Sequence, residues 1–242
     1  MADNGKEILM VISIHQPDYI PYIGYYYKIS QSDKFVFLDD AQFSSDNMHH
    51  WNKIKTPQGE CRLKIPVDYS FGDTINQVRT KDELKWKEKH LKTIEMNYSK
   101  APFFKDVFPQ FKDVLMHDYD NLAEMNIALT ELICDGFGLN VVFLKSSDLN
   151  LSTSREEKVI DICIDYGADT YLSGNGARAY QVEEHFTSKN IQLEYSDYSP
   201  IEYKQQWGDF IPNLSVIDFI FNCGFDMEYI KEKVKGGKSG NR

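Results

Sequence analysis

Two short apolar runs, each ending in polar residues, constrain the fold of this chain more than any other feature. The first covers 8–14 and stops at His15-Gln16-Pro17-Asp18; the second, Phe35-Val36-Phe37-Leu38, stops at Asp39-Asp40-Ala41-Gln42. Runs of this length, rich in β-branched and aromatic residues and bounded by turn formers, read as buried strands. Between them Pro21 opens a helical stretch over 22–31, and Ser32-Asp33 turns the chain into the second strand. A strand, a loop, a helix and a further strand make parallel neighbours joined by a right-handed crossover. Open sheets of this kind bind ligands at the carboxyl ends of their strands. The chain therefore reads as α/β with a mainly parallel sheet, and the strand-end residues His15, Asp39 and Asp40 are where a site is expected.

The remaining elements extend this frame. Residues 44–60, rich in Ser, Asn, His and Gly, read as an irregular surface excursion, within which His49-His50 is a solvated loop; Arg62-Leu63-Lys64-Ile65-Pro66-Val67 alternates as a half-buried strand does. Amphipathic spacing from Asp82, over 103–116 and over 120–137 predicts a largely helical insertion at 82–138, closed by a left-handed cap at Gly136 or Gly138. Strands are expected over 140–145, 169–172 and 192–195. Ser154 and Glu157 match a capping box opening a helix that closes near Gly167, and 214–223 forms a short apolar helix. One α/β domain over 8–232 is expected, with flexible tails over 1–7 and 234–242.

Composition narrows the function classes. A formal net charge of -10 gives no electrostatic footprint for DNA. No apolar stretch approaches the roughly 20 residues needed to span a bilayer, and the polar start of the chain does not read as a signal peptide, so a cytoplasmic location without membrane insertion is expected. Cys61, Cys134, Cys163 and Cys223 stand far apart with no paired spacing, so they read as reduced residues with no disulfide or metal framework.

Within the expected site, His15 is a residue able to take or give a proton near neutral pH, or to donate to a phosphate oxygen when charged. The bland alternative is a histidine that only bonds its own loop. Asp39 and Asp40 suit orienting His15, binding sugar hydroxyls or holding a cation, although an Asp-Asp turn explains them equally well. Gln42 and Asn52 add neutral donors and acceptors of the type that read sugar or amide groups. Ser173-Gly174-Asn175-Gly176-Ala177-Arg178 follows an expected strand and feeds a helix, so its N–H groups and Arg178 outline a phosphate or carboxylate cradle. It falls short of a full dinucleotide fingerprint, because Ala179 occupies the position of the third glycine.

Taken together, these segments resemble the WbqC-like protein family. The resemblance rests on Ile14-His15-Gln16-Pro17-Asp18-Tyr19-Ile20-Pro21 with Gly24, Tyr25 and Lys28, on Ser32-Asp33 and 35–43, and on Asn52-Lys53-Ile54-Lys55-Thr56-Pro57. Tyr98 to Phe103, Thr170 to Gly174, Tyr180 and 214–224 continue it. Tyr22 stands where a tryptophan is frequent, and Lys53 where an arginine is. The resemblance implies a bacterial enzyme of surface polysaccharide (O-antigen, lipopolysaccharide) biosynthesis. It would be a transferase attaching an aminoacyl unit such as glycyl, or another small acyl group, to the amino group of a nucleotide-linked deoxyamino sugar. His15, Asp39 and Asp40 are then the expected catalytic residues, and Gln16, Tyr19, Lys28, Gln42, Asn52, Ser173, Gly174 and Arg178 the substrate-binding ones. The acyl donor is left open between a thioester, an aminoacyl-tRNA and an ATP-activated acid, as is homo-oligomer formation. The opening strand, histidine, glycine and helix also look like a distant HUP/Rossmann-like nucleotidyltransferase start, with Gly24-Tyr25 in place of glycine-histidine; an adenylate-forming or nucleotidyltransferase enzyme is thus one alternative, and a non-catalytic sugar-nucleotide binder another.

Overall fold

A computed structural model of the chain describes residues 9–239, with side chains over 9–237. In chain order, β1 (Val11–His15), α1 (Ile23–Ile29) and β2 (Lys34–Phe37) are followed by a hairpin of β3 (Trp51–Thr56) and β4 (Gly59–Lys64). The short strands β5 (Val67–Asp68) and β6 (Arg79–Thr80) precede helices α2 (Trp86–Tyr98), α3 (Phe104–Met116) and α4 (Leu122–Gly136). Then come β7 (Val142–Lys145), α5 (Arg155–Asp165), β8 (Thr170–Ser173), α6 (Glu183–Thr187), β9 (Gln192–Tyr195), α7 (Val216–Cys223) and α8 (Met227–Ser239). The chain forms two compact units: residues up to His15 with 28–38 and 140–197, and residues 16–27 with 39–139 and 198 onward.

The first unit is built on a five-stranded sheet of order β7-β2-β1-β8-β9, in which every pairing is parallel. Its inner strands are buried almost continuously, β8 over its whole length, as expected of a parallel sheet covered on both faces. One face carries Ile12, Ile14, Val36 and Tyr171 into a core with Ile160, Ile162 and Cys163 of α5 and Phe186 of α6. The opposite face carries Phe35, Phe37 and Phe143, whose rings lie 5.0 Å (Phe35–Phe37) and 5.6 Å (Phe37–Phe143) apart. The strand order runs outward from β1 through β2 to β7, then returns to β8 on the other side of β1. That reversal beside β1 is where open α/β sheets leave a crevice outside the carboxyl strand ends.

The second unit packs the β3–β4 hairpin with α2, α3, α4 and α7. Here the expected surface excursion over 44–60 is corrected: β3 is a buried strand, and His49 and His50 before it are 0% and 1% exposed. Its lysines hid the strand from a polarity reading. Lys53 pairs with Glu60 across the hairpin at 2.6 Å, and Lys55 is buried with its ammonium on Gln205 at 3.0 Å and on the Asp209 carbonyl. The capping box at Ser154 does not form, since that side chain makes no cap hydrogen bond; side-chain caps stand instead at Asn121, which accepts from Glu124 N, and at Ser215, which accepts from Ile217 N. Helix α8 continues through Val234 to Ser239, where a flexible tail was expected, while residues 1–7 and 240–242 lie outside the described residues. Among the described residues no helix is long and apolar enough to cross a membrane.

Candidate functional site

The carboxyl edge of the parallel sheet gathers one group of the expected site residues. Register sets His15 of β1 level with Phe37 of β2 and Lys145 of β7. Side chains alternate between faces along a strand, so His15 and Lys145 leave on the face of Phe35 and Phe37, opposite the Ile12 and Ile14 core. Lys28 serves that same face: its buried ammonium donates to the Ile14 carbonyl at 3.1 Å and lies 5.7 Å from the Phe35 ring centre. Ser173 departs the other way. Ile12 registers with Tyr171, which places Ser173 on the Tyr171 face, where it is 1% exposed and hydrogen-bonded to Tyr171.

The loop after β8 differs from the expected cradle. Residues 175–179 wind as a 3-10 turn, and α6 begins only at Glu183, so the dipole of a long helix does not open at the glycines. What the loop does hold is an oriented cation. Arg178 pairs with Asp197 at 2.5 Å and stacks 4.0 Å above the Tyr195 ring, while the Asp197 N–H donates to Asn175 Oδ1 at 3.1 Å. A Cβ added at Gly174 or Gly176 would meet no protein atom within 4 Å, and neither glycine has a positive φ. The protein's own packing therefore does not require glycine at these positions, and the backbone there is open to close approach.

The other expected residues belong to the second unit, along 16–22 and 39–52. The backbone of 16–21 is held at nearly every carbonyl. Tyr25 donates to Gln16 O (3.1 Å) and Asn126 to Pro17 O (2.9 Å); Asn52 Nδ2 donates to both Tyr19 O (3.0 Å) and Ile20 O (2.9 Å). Ser215 adds a bond to Ile20 O at 2.7 Å, and Val216 N donates to Pro21 O at 2.9 Å. These bonds secure a left-handed Ile20, φ 38°, a strained conformation for a β-branched residue. Asn52 Oδ1 accepts from Lys53 N at 2.8 Å, so the whole Asn52 amide is engaged by backbone. Tyr19 is fully buried with its hydroxyl 3.0 Å from His90 Nδ1, and burial raises its pKa well above the usual tyrosine value.

Asp39 and Asp40 sit in a turn just after β2. Asp39 is buried and accepts from Asn76 through both its carbonyl (3.0 Å) and its carboxylate (3.3 Å), while Gln42 is exposed and bridges to Thr74. The same unit contains a pairing that sequence reading passed over. Asp18 lies 31 positions from His49, and its carboxylate accepts from His49 Nδ1 at 2.9 Å. No periodicity signals a contact at that separation. The neighbouring His50 is held down to a pKa of about 4 by burial, then by Lys64, His49 and Arg62, and His90 also falls to about 4 by burial. Burial lifts the Cys163 and Cys223 thiols to about 12 and about 11, which removes them as nucleophiles near neutral pH. Among the described residues no cluster of three or more His, Cys, Asp or Glu is placed to hold a metal ion.

Fold and register together define an α/β protein with a five-stranded, all-parallel central sheet. Residues 16–229 match the WbqC-like protein family, and the chain belongs to that family. It is 31% identical over 217 residues to the uncharacterized protein Rv1507c of Mycobacterium tuberculosis (strain ATCC 25618 / H37Rv), spanning 88% of this chain and 94% of that one. No solved structure matches.

Proposed function

We propose that the protein is a cytoplasmic transferase of bacterial surface polysaccharide biosynthesis, joining a glycyl or other small acyl unit to the amino group of a nucleotide-linked deoxyamino sugar. Family membership supports the general setting. The observation that carries the chemistry is the sheet edge of the first unit, where a strand-end histidine flanks the strand-order reversal and an oriented arginine stands beside two glycines whose Cβ positions face open space. In this reading Arg178 and the N–H groups of 174–176 receive the diphosphate, with Asp197 and Tyr195 fixing the guanidinium so that little is lost on binding. An amine attacking an acyl carbon must shed a proton while an oxyanion develops. His15 takes that proton, and the positive charge of Lys145 on the same row offsets the oxyanion.

The test is to incubate purified protein with nucleotide-linked amino sugars and, in separate arms, glycine plus ATP, glycyl-tRNA or a glycyl thioester, and to follow the sugar by mass spectrometry. A glycyl adduct is expected in one arm, with His15→Asn lowering turnover about 10²- to 10⁴-fold while binding is kept. Product in the ATP arm alone identifies an adenylate-forming route. Unchanged sugar in every arm, despite measurable binding, makes the protein a sugar-nucleotide binder and rejects the transferase reading.

A further inference from the structure

The second unit contains a buried polar cluster that the sheet-edge chemistry does not use. His49 is 0% exposed; its Nδ1 donates to the Asp18 carboxylate at 2.9 Å, so in the neutral ring Nε2 is the lone-pair nitrogen, and Nε2 is buried with no hydrogen-bond partner. His50, 1% exposed, likewise has a buried Nδ1 without a partner. Two adjacent unmet nitrogens are unusual, because leaving a buried polar atom unsatisfied costs about 1–3 kcal/mol. By contrast His90, also buried, has both nitrogens engaged, by the Tyr19 hydroxyl at 3.0 Å and the Lys64 carbonyl at 3.3 Å. The Phe43 ring packs against both unmet imidazoles, at 5.8 Å from His49 and 5.4 Å from His50. Tyr69, 47% exposed, lies 4.7 Å from Phe43 and connects this cover to the surface.

A carboxylate on Nδ1 and a vacant lone pair on Nε2 is the arrangement that orients an imidazole to accept a proton, since the carboxylate fixes the tautomer and stabilises the imidazolium that results. We propose that Asp18 and His49, both of the second unit, form a proton-accepting site for the amine of a small polar ligand admitted by displacement of the Phe43 and Tyr69 rings. The amine fits the hydrogen bonding of the site: the Asp18 carboxylate stands on the far nitrogen of His49, the lone pair of the neutral ring calls for a donor, and the cations Lys64 and Arg62 act on His50 beside it. The step is a simple transfer: an N–H bond of the ligand ammonium breaks, its electron pair stays on nitrogen, and the proton passes to His49 Nε2. His49 is the group that touches the ligand, and Asp18 is a positioning residue that acts through it. The site does not depend on the transferase reading.

The test reads the lone pair directly, on the full chain near neutral pH. Carbethoxylation of each histidine by diethylpyrocarbonate is followed by peptide mass spectrometry and normalised to exposed His117 in the same sample. His49 is expected to react within about tenfold of His117, Asp18→Asn to slow it severalfold, Phe43→Ala to speed it, and His90 to stay unmodified. Glucosamine should slow modification of His49 relative to His117, whereas N-acetylglucosamine, which lacks the basic amine, should not. A His49 as inert as His90 in the wild type means a sealed structural imidazole and overturns the site. Reaction at an unchanged rate in a folded Asp18→Asn variant overturns the role of the carboxylate, and equal rates with both sugars overturn the amine assignment.

Discussion

Asn52→Asp separates two roles for a residue whose type suggests ligand reading and whose geometry shows backbone support. The substitution keeps the volume and preserves the Oδ1 bond from Lys53 N, but replaces the amide nitrogen by an oxygen facing the Tyr19 and Ile20 carbonyls. Ile20 O keeps its 2.7 Å bond from Ser215, so its loss is the smaller one. Tyr19 O is left buried against a second acceptor, at a cost of about 1–3 kcal/mol, with roughly 1 kcal/mol more for the bond to Ile20. The left-handed Ile20 adds to the penalty by relaxing once its tether weakens. A total of about 2–4 kcal/mol corresponds to a fall of roughly 5–15 °C in Tm for a chain of this size. Urea unfolding of wild type and variant, compared at unchanged m, measures it. A variant within about 0.5 kcal/mol of wild type would show that the amide does not hold the loop, and would return Asn52 to ligand binding.

Two further outcomes follow from the packing and ionisation of the second unit. Gly24→Ala places a Cβ 2.3 Å from the Tyr22 ring and 2.6 Å from that of Tyr198, so overpacking of about 1–3 kcal/mol is expected in the same unfolding experiment; a neutral change would mean that the two rings move aside freely. His90, lowered to about 4 by burial, binds its proton only in the unfolded chain between its ordinary pKa and about pH 4. Stability is therefore present above the ordinary histidine range and is lost as pH falls through that window, by on the order of 3 kcal/mol at the limit. His90→Gln should flatten that part of the pH–stability curve, and a curve equally steep in the variant would assign the loss to other groups.

The parallel sheet was legible because its strands declare themselves locally: 35–38 and 192–195 are short apolar or alternating runs closed by turn residues, and they appear as β2 and β9 within a residue. Helices α3 and α4 were legible for the same reason, through apolar spacing on one face. The β3 strand was not, because Asn52 and Lys55 are polar side chains that point inward and are satisfied by groups as distant as residue 205. Polarity reports exposure only when no buried partner waits elsewhere in the chain. The Asp18–His49 pair was hidden likewise, each half lying in a segment that looked complete in itself. Strand-end placement of His15 could be read from local pattern; the opposite facing of His15 and Ser173 needed the register between β1 and β8.

The 16–21 segment shows how a distinctive sequence divides between fold and chemistry. Its carbonyls at 16, 17, 19, 20 and 21 each accept a hydrogen bond, and Tyr19 N donates to Met48 O at 2.9 Å. Pro17 and Pro21 fix φ and need no partner for a missing N–H, while Tyr19 and Ile20 are wholly buried. These residues are accounted for by building a rigid loop. The Asp18 carboxylate, in addition, reaches out of that frame to His49 Nδ1 at 2.9 Å. A rigid backbone beneath a functional side chain is what accurate placement of a proton acceptor demands, since an error of about 1 Å costs on the order of a hundredfold in rate. The saturated carbonyls supply that placement for the Asp18–His49 pair proposed as a proton acceptor.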